Sequence, residues 1–402
     1  MKPLKGQVVG VIGFNARPIA CSLSRLGAEV VVSDYWGDDD LVSCCKKWVA
    51  VLNPQPGERQ RTHIDRPVHE ALIENFLNVA DRNVEMVVIG SGFDDHPDVL
   101  ATLKRNYRVA ANSIGVFRRA RDRRLLKQLA TNAGLRYPTT IEVKSPRELE
   151  HAIASMGFPA LVRPSNSGGG SRVRLIVSED QLTALTRRLA IDHAHPLLVQ
   201  QYIRGRDYSM TIIGTEGQSQ AISVQAQLIG IPAAGRDCDF VYCGNYCPVR
   251  LEATQSQLTQ AMEEIASRLE LVGYNGIDFV VDDNGEMWLL EVNPRITGTL
   301  ELLEVASGVN LMEWHLRALE GLLPDGPLQA RPTVKMIVYS TVTGIVPDLS
   351  QFPGTMDKTP QGTLVRRGDP ICTVMAEGET IAETYRTAAE VAQKIQGKVM
   401  KV

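Results

Sequence analysis

Residues Ile277–Arg295 read Ile-Asp-Phe-Val-Val-Asp-Asp-Asn-Gly-Glu-Met-Trp-Leu-Leu-Glu-Val-Asn-Pro-Arg. Two apolar runs, Ile277–Val281 and Met287–Val292, flank Asp-Asn-Gly-Glu, and Asn-Gly before a second apolar run is the strongest short-range hairpin signal. With Asn284 and Gly285 as the two loop residues, counting outward sets Asp283 against Glu286, Val281 against Trp288 and Asp278 against Glu291. Asn293 then shares a face with Glu291. Two carboxylates directly opposite each other in a sheet repel. A hard divalent cation offsets that by taking oxygen from Asp278, Glu291 and the Asn293 amide, as Mg²⁺ prefers. The plainer alternative is an exposed hairpin whose acids face water. It sits poorly with flanking runs that read as buried and with Pro294-Arg295 following at once.

At 402 residues the chain has room for two or three domains with ample core. Its hydrophobic fraction of 44% and charged fraction of 22% are those of an ordinary soluble protein, which excludes disordered and fibrous classes. A formal net charge of -3 leaves no basic footprint for nucleic acid. The run Arg118–Arg124 is local and reads as the solvated face and N-terminal turns of a helix. No apolar stretch is long enough for a bilayer, and the start of the chain leads into a strand without a cleavage site. The reading is therefore cytoplasmic, with no membrane partner. Seven cysteines, an odd number, argue for a reducing compartment and against a disulfide framework. Cys238, Cys243 and Cys247 cluster without a nearby His and at no standard metal spacing, so they read as ordinary loop thiols.

Strands and helices alternate over the first third, with strands at Val8–Ile12, Val30–Ser33, Met86–Gly90 and Tyr107–Ala111 and a helix over Pro67–Ala80. That alternation implies a parallel sheet with ligands at the carboxyl ends of its strands. Gly10, Gly13 and Asp34 make only a partial dinucleotide fingerprint, which is weak support for nicotinamide binding. Beyond Arg118 come helix Asp122–Ala133, strands Thr139–Val143, Pro159–Arg163, Val173–Val177 and Leu197–Gln201, and helices Pro146–Met156 and Glu179–Ala190. Between two of these strands lies Pro164-Ser-Asn-Ser-Gly-Gly-Gly-Ser171. Such a loop can aim consecutive backbone N–H groups at an anion, although three glycines alone fit a flexible hairpin tip equally well. Arg163, at the end of the preceding strand, supplies a charge that favours phosphate. Gly230–Tyr246 reads as a long irregular loop, a length that usually marks function. Leu323–Pro332 is the linker candidate. Beyond it, strands near Val334–Tyr339 and Ile371–Met375 precede a helix at Ala382–Ile395.

In this order the pieces resemble the ATP-grasp superfamily of carboxylate–amine (or thiol) ligases, with the specific motifs between Asp122 and Arg295. The resemblance implies an α/β protein, α+β in its catalytic part. An N-terminal parallel α/β domain (1–115) would precede an ATP-grasp domain (116–325) with a small lid subdomain (137–198), and 333–402 would be a C-terminal extension. It implies ATP contacts from Arg123 and Arg163, from Ser167, Gly168, Gly169 and Gly170 of the lid loop, from the adenine hinge Gln200, Gln201, Tyr202 and Ile203, and from the ribose acid Asp207. Asp278, Glu291 and Asn293 would hold one or two Mg²⁺, or Mn²⁺ in its place, and Asn293 with Arg295 would act on the transferring phosphoryl. Arginine stands at 123 and 163 where the family usually has lysine, and Gln200 where it usually has an acid. Arginine keeps the charge but forks differently.

Gly13-Phe-Asn-Ala-Arg-Pro18, Asp34-Tyr-Trp-Gly-Asp38, Asn293-Pro-Arg-Ile-Thr-Gly-Thr-Leu-Glu301 and Gly368-Asp-Pro-Ile-Cys-Thr373 look like the predicted ATP-dependent carboligase branch of archaea and methylotrophs. Its phylogenetic company implies a one-carbon cofactor pathway of methanofuran or methanopterin type. The expected partners are a small-molecule carboxylate and an amine, and a homo-oligomer is compatible with the chain. Asn15, Arg17, Asp94, Arg236 and Glu301 are the substrate candidates, each equally readable as a loop or capping residue. Arg17 is preferred, because a cation after the first strand suits an anionic carboxylate. The competing functions are a bicarbonate-activating carboxylase or carbamoyl-phosphate-type enzyme, a non-catalytic ATP-binding protein and a nicotinamide oxidoreductase.

Overall fold

Strands β1 (Val8–Gly13), β2 (Glu29–Asp34), β3 (Lys47–Ala50), β4 (Val84–Ile89) and β5 (Arg108–Ala110) form a parallel sheet in the order β3-β2-β1-β4-β5. The structure, a computed structural model, describes residues 4–61, 64–165, 168–170, 172–188, 195–236, 240–251 and 255–402. The central strands are nearly continuous Val and Ile runs because both faces are covered. Helix α1 (Arg17–Arg25) packs on one side, and α2 (Val68–Val79) with the short α3 (Leu100–Lys104) on the other. The strand order reverses between β1 and β4, so their carboxyl ends open a crevice. The partial dinucleotide fingerprint is accounted for by packing. A Cβ on Gly10 would lie 2.4 Å from the Phe76 ring, and the Asp34 carboxylate accepts the backbone N–H groups of Ala16, Trp36 and Gly37.

Helices α4 (Ile114–Arg121) and α5 (Arg123–Asn132) meet at Asp122, whose side chain caps α5 by accepting from the N–H groups of Arg124 and Leu125. A four-stranded antiparallel sheet follows, made of β6 (Thr140–Val143), β7 (Ala160–Pro164), β8 (Arg174–Ile176) and β9 (Leu197–Gln201) in the order β6-β9-β7-β8. It is backed by α6 (Pro146–Met156) and α7 (Glu179–Thr186) over their own apolar core.

The largest element is an eight-stranded antiparallel sheet. Strands β10 (Gly205–Thr215), β11 (Gln218–Ile229), β12 (Tyr242–Cys247), β13 (Gly273–Asp282) and β14 (Met287–Asn293) supply five of its members. The remaining strands of the chain are β15 (Thr333–Tyr339), β16 (Gly344–Ile345), β17 (Thr355–Met356), β18 (Leu364–Val365), β19 (Pro370–Glu377) and β20 (Met400–Lys401). Of these, β15, β17 and β19 join the large sheet, whose order is β14-β13-β10-β11-β12-β15-β19-β17. The others form a small sheet, β18-β16-β20. Helix α8 (Gln255–Arg268) covers one face of the large sheet, packing on Met210, Ile212, Ile277, Phe279 and Leu289. Helices α9 (Leu300–Ser307) and α10 (Leu311–Leu319) bind that sheet to α1, and α11 (Ile381–Lys398) packs on β15 and β19. Alternation along each strand puts Asp207, Ser209, Gln225, Asn245, Asp278, Glu291 and Lys335 on the opposite, polar face.

Several expectations change. The stretch expected to be irregular from Gly230 to Tyr246 contains most of β12, whose pairing with β15 ties residues 333–377 into the main sheet. The Pro-rich segment is docked rather than free, with the Leu328 N–H on the Ile222 carbonyl and the Arg331 N–H on that of Ala306. Cys21 and Cys44 form a disulfide between α1 and the turn at Leu41–Cys44, contrary to the expectation of free thiols. Cys243 and Cys247 are buried in β12, and among the described residues no group of three or more His, Cys, Asp or Glu side chains gathers as a metal site; Cys238 lies outside them.

Candidate active site

The hairpin register is reached by two departures that cancel. The turn has three loop residues, not two: the Asp282 N–H donates to Glu286 and Gly285 sits at φ +81°, a left-handed position that glycine fills without strain. Near the turn, Val281 therefore faces Met287, and Val280 faces Trp288. A bulge at Leu290 then shifts the ladder by one, and Asp278 faces Glu291 after all.

From there the side chains close a ring. The Asn293 amide donates to Asp278 Oδ2 (2.9 Å), and its oxygen accepts from Arg295 Nη2 (3.2 Å). Arg295 Nε donates to both oxygens of Asp94 (2.7 and 2.9 Å). Asp94 also pairs with Arg121 (3.3 Å), and Arg121 Nη1 donates to Glu291 Oε1 (2.7 Å), which stands across the ladder from Asp278. Burial and then the Glu291 charge push the Asp278 carboxyl up to about 6, while Gln227 and Ser209 hydrogen-bond to it. Burial would raise Asp94 too, but Arg295 and Arg121 together hold it below the usual carboxylate range. The donors facing each other across the hairpin are all oxygens and two carry negative charge, which fits Mg²⁺. Asp278, Glu291 and Asn293 are the residues that would hold it.

Arg121 was missed in the sequence, where it belonged to a run expected to be solvated. Its neighbour Arg118 does follow that expectation, pairing with Asp98 at the surface, whereas Arg119 is half-buried and donates to the Leu269 carbonyl as well as to Glu270. Arg121 instead turns inward between Asp94, Asp95 and Glu291. Asn112 was missed as well. Its amide donates to the carbonyls of Val272 and Pro294 and to the Asn275 side chain, which fixes the Pro294–Arg295 turn against the end of the parallel sheet. His315 makes a second such join, accepting the Tyr274 N–H at Nδ1 and facing the Ala110 carbonyl with Nε2. The two partners require the neutral Nε2–H tautomer.

The expected nucleotide residues lie along one path. Arg163 is mostly buried beside Arg121 and Arg123 and has no hydrogen-bond or ion-pair partner among the described residues. Burial weakens its hold on its proton, the Glu291 charge opposes this, and Arg123 and Arg121 add to the weakening. An anion would relieve this concentration of positive charge. Arg123 makes only a long pair with Glu142 (3.5 Å). Gly169 and Gly170 have φ of +61° and +71°, and a Cβ on Gly170 would meet the Phe240 carbonyl at 1.6 Å. The Gly169 carbonyl accepts from the Tyr242 N–H, so the loop that includes Gly168 rests on the entry to β12. Ser167 lies outside the described residues. Gln200 donates to the Thr140 hydroxyl, Gln201 exchanges hydrogen bonds with Thr139, and the half-buried Tyr202 and Ile203 continue into β10. Asp207 stands two residues before Ser209, the direct partner of Asp278, on the same sheet face.

The substrate candidates divide. Asp94 belongs to the ring. Arg17, only 3% exposed, does not present a free cation: it forks onto both oxygens of Glu301 (2.9 and 2.6 Å) and donates from Nε to Asp357 (2.7 Å). Its charge is thus neutralised by acids, which corrects the expectation that it receives a carboxylate. Asn15 donates to Asp357 (3.2 Å). Arg236 stacks over Tyr339 (5.3 Å) and donates to the Gly368 carbonyl.

Comparison with known proteins agrees with this geometry. Residues 120–299 match the ATP-grasp domain family model. Over 392 residues the chain is 24% identical to an uncharacterised protein of Methanocaldococcus jannaschii, covering 94% of this chain and 91% of that one. Carboxyaminoimidazole ribonucleotide synthase from Aspergillus clavatus, solved with ATP, superposes with a TM-score of 0.72 at 14% identity, over 98% of this chain and all of that one. Biotin carboxylase from Campylobacter jejuni gives 0.72 at 14% identity over 99% and 96% of the two chains. N5-carboxyaminoimidazole synthetase from Staphylococcus aureus gives 0.68 at 16% over 97% and 98%. These likenesses carry the fold across the whole length. The segment that matches the ATP-grasp domain model contains the carboxylate pair, the glycine loop and residues 200–203, and the structural likenesses show that the fold is shared.

Proposed function

We propose that the protein joins a small-molecule carboxylic acid to an amine, activating the acid as an acylphosphate at the expense of ATP. The observation that carries this is the closed ring Asp278–Asn293–Arg295–Asp94–Arg121–Glu291, which sets a carboxylate pair beside two guanidinium groups. Mere nucleotide binding does not call for paired acids across a hairpin.

A carboxylate is a poor electrophile, and phosphoryl transfer to it depends on positioning and charge neutralisation. When bound, Mg²⁺ would supply positive charge to the phosphates at Asp278, Glu291 and Asn293. Tyr202 and Ile203 would present backbone groups to the adenine, Asp207 would take the ribose, and Arg123 and Arg163 the phosphates. Arg295, fixed in orientation by Asp94, would stabilise charge on the transferring group and then on the tetrahedral adduct. The glycine loop would exclude water, which otherwise hydrolyses an acylphosphate. A substrate carboxylate oxygen takes the γ-phosphoryl and ADP leaves. The amine nitrogen then bonds to the acyl carbon, phosphate departs, and a proton is lost from nitrogen. The one-carbon cofactor pathway enters this proposal through the sequence resemblance alone.

Bicarbonate activation is the second reading. The observation in its favour is the full-length structural likeness to two carboxyaminoimidazole synthetases and a biotin carboxylase. One assay separates the two: phosphate release from MgATP with a panel of organic acids or with bicarbonate, with hydroxylamine present to trap acylphosphate as a hydroxamate. The ligase reading expects a hydroxamate with one class of organic acid. Stimulation by bicarbonate alone selects the second reading, and no stimulation by any acid overturns the first.

A further inference from the structure

Lys335 is a buried cation without an acid partner among the described residues. On β15 it stands directly across the ladder from Asn245 of β12, and it is 3% exposed. Its Nζ donates to the Gly298 carbonyl (3.1 Å), a neutral group. The charge of Lys335 bears on Asp357, but that carboxylate is taken up by Arg17 Nε, the Asn15 amide and the Thr373 hydroxyl. An ammonium group has three donors, and a buried charge is ordinarily paired. Here one donor is used and the charge has no counterion among the described residues.

The ammonium end of Lys335 marks the wall of a small cavity of about 40 Å³, because Lys335 and its partner Gly298 both line it. The other walls are two helix starts and the crevice of the parallel sheet. Asn15 and Pro18 flank the start of α1, Gly298 and Leu300 that of α9, and Ser91 follows β4, where the strand order reverses. Neither helix start has a side-chain cap, so first-turn N–H groups are left without intrahelical partners. Helix starts attract anions, and the crevice at a strand reversal is where such sheets bind ligands. No acid lines the cavity. Glu301, the acid in the first turn of α9, is held by the Arg17 fork. The buried Asn15 Oδ1 has no partner, but it is a neutral acceptor and does not offset the ammonium charge. A metal ion or an amine would be repelled here, and an anion would be held.

The cavity has room for a carboxylate but not for a whole substrate. It is also set apart from the group that is phosphorylated beside the metal pair. Strands β10, β11 and β12 separate Asp278 of β13 from Lys335 of β15, four ladder spacings or roughly 19 Å along the sheet. Ile296 and Thr297, which follow Arg295 in the chain, line the cavity and lead from one group to the other. We propose that the acid substrate carries a second carboxylate, and that Lys335 and the starts of α1 and α9 receive it while the first lies at Arg295. The inference rests on the ligase reading and narrows its acid to the dicarboxylates, acidic amino acids included. It moves to Lys335 the carboxylate-receiving role first expected of Arg17. Asn15, Ser91 and Lys335 lie outside residues 120–299, so the match to the ATP-grasp domain model does not assign this subsite.

The test is thermal unfolding of the full-length protein titrated near neutral pH with succinate, glutarate and adipate, and with butyrate, valerate and caproate as monocarboxylates of the same lengths. At least one dicarboxylate is expected to give a saturable rise in Tm, at a concentration at least about tenfold below that of its monocarboxylate counterpart. Lys335→Met should weaken that binding about a hundredfold, and because it removes an unpaired buried charge it should not lower the Tm of the free protein. Lys335→Gln, which can keep a donor on the Gly298 carbonyl while dropping the charge, should weaken it to the same extent. No saturable shift with any dicarboxylate, equal affinity for the monocarboxylates, or wild-type affinity in the Lys335 variants overturns the subsite. MgATP is titrated separately into the wild-type protein. A MgATP shift without a dicarboxylate shift removes the subsite and leaves the ligase. A dicarboxylate shift that Lys335→Gln abolishes, without a MgATP shift, keeps the subsite and removes the ligase.

Discussion

The two charged ends of the polar sheet face use the same residue types in opposite arrangements. At the hairpin end, acids and arginines alternate around a ring. Arg121 and Arg295 stand outside the Asp278–Glu291 pair and tie it to Asp94 of the parallel-sheet domain. At the other end a single guanidinium is the hub and the acids lie around it. An acid pair held from outside keeps its inner side for a small, highly charged cation. Acids gathered round a buried arginine have their strongest demand already met within the protein. The position of arginine, more than the number of acids, sets how much of the negative charge at each end is met from within the protein.

Substitutions can break or sharpen this contrast. Glu291→Gln removes one charge of the hairpin pair, and Mg²⁺-dependent ATP turnover should fall at least about a thousandfold. A loss of less than tenfold in a steady-state phosphate-release assay would mean that the pair is not the metal site. Arg17→Met removes the hub and leaves its acids buried and uncompensated, so the fold should lose about 3–5 kcal/mol. Urea unfolding measures this, and a change near zero would show that the acids do not depend on Arg17.

Asp278→Asn should act in the opposite direction on the metal-free protein. The folded-state pKa of Asp278, about 6, lies above the ordinary value of 3.8. The native state therefore binds the extra proton between those values, and stability declines as pH rises through the interval. Above about pH 6 the ionised carboxylate leaves the wild type less stable, so the Asn variant should be firmer by about 2–3 kcal/mol there, converging with wild type below about pH 4. Denaturant melts without Mg²⁺ at pH 4 and pH 8 test the sign, and a variant weaker at pH 8 would refute it. The mildest expectation concerns the lid, which serves only the hairpin end. Gly170→Ala cannot keep its left-handed backbone against the Phe240 carbonyl, and the KM for ATP should rise about tenfold with little change in kcat. An unchanged KM would show that the docked loop plays no part in nucleotide binding.

The hairpin was legible because local chemistry writes it: Asn-Gly marks the turn, and a period of two assigns the faces. Its bulge was not, since nothing in Trp-Leu-Leu-Glu distinguishes an extra Leu290, and the correct Asp278–Glu291 pairing came from a turn one residue too short offset by a ladder one residue too regular. Arg121 was hidden for a different reason. In a run of arginines the sequence gives no sign of which one turns inward, and its partners Asp94 and Glu291 come from a crevice and a strand far along the chain. Arg17 could be recognised as important, but its meaning could not, because Glu301 and Asp357 lie about three hundred residues away. Strand β12 escaped notice because Tyr-Cys-Gly-Asn-Tyr-Cys has neither alternation nor a β-branched residue. Its strand state comes from the ladders on both sides.

That strand also constrains how the molecule comes into being. In the finished sheet β12 is internal, between β11 and β15, yet β15 follows it by almost ninety residues and β19, which flanks β15, lies further on. Until those residues have been made, a growing chain exposes one side of β12 as an open row of backbone donors and acceptors, the kind of edge that recruits strands from other chains. Closing so distant a pairing is slow. The nucleotide-binding half thus cannot be completed from its own segment, and a chain interrupted before β15 would be expected to aggregate rather than survive as a smaller enzyme.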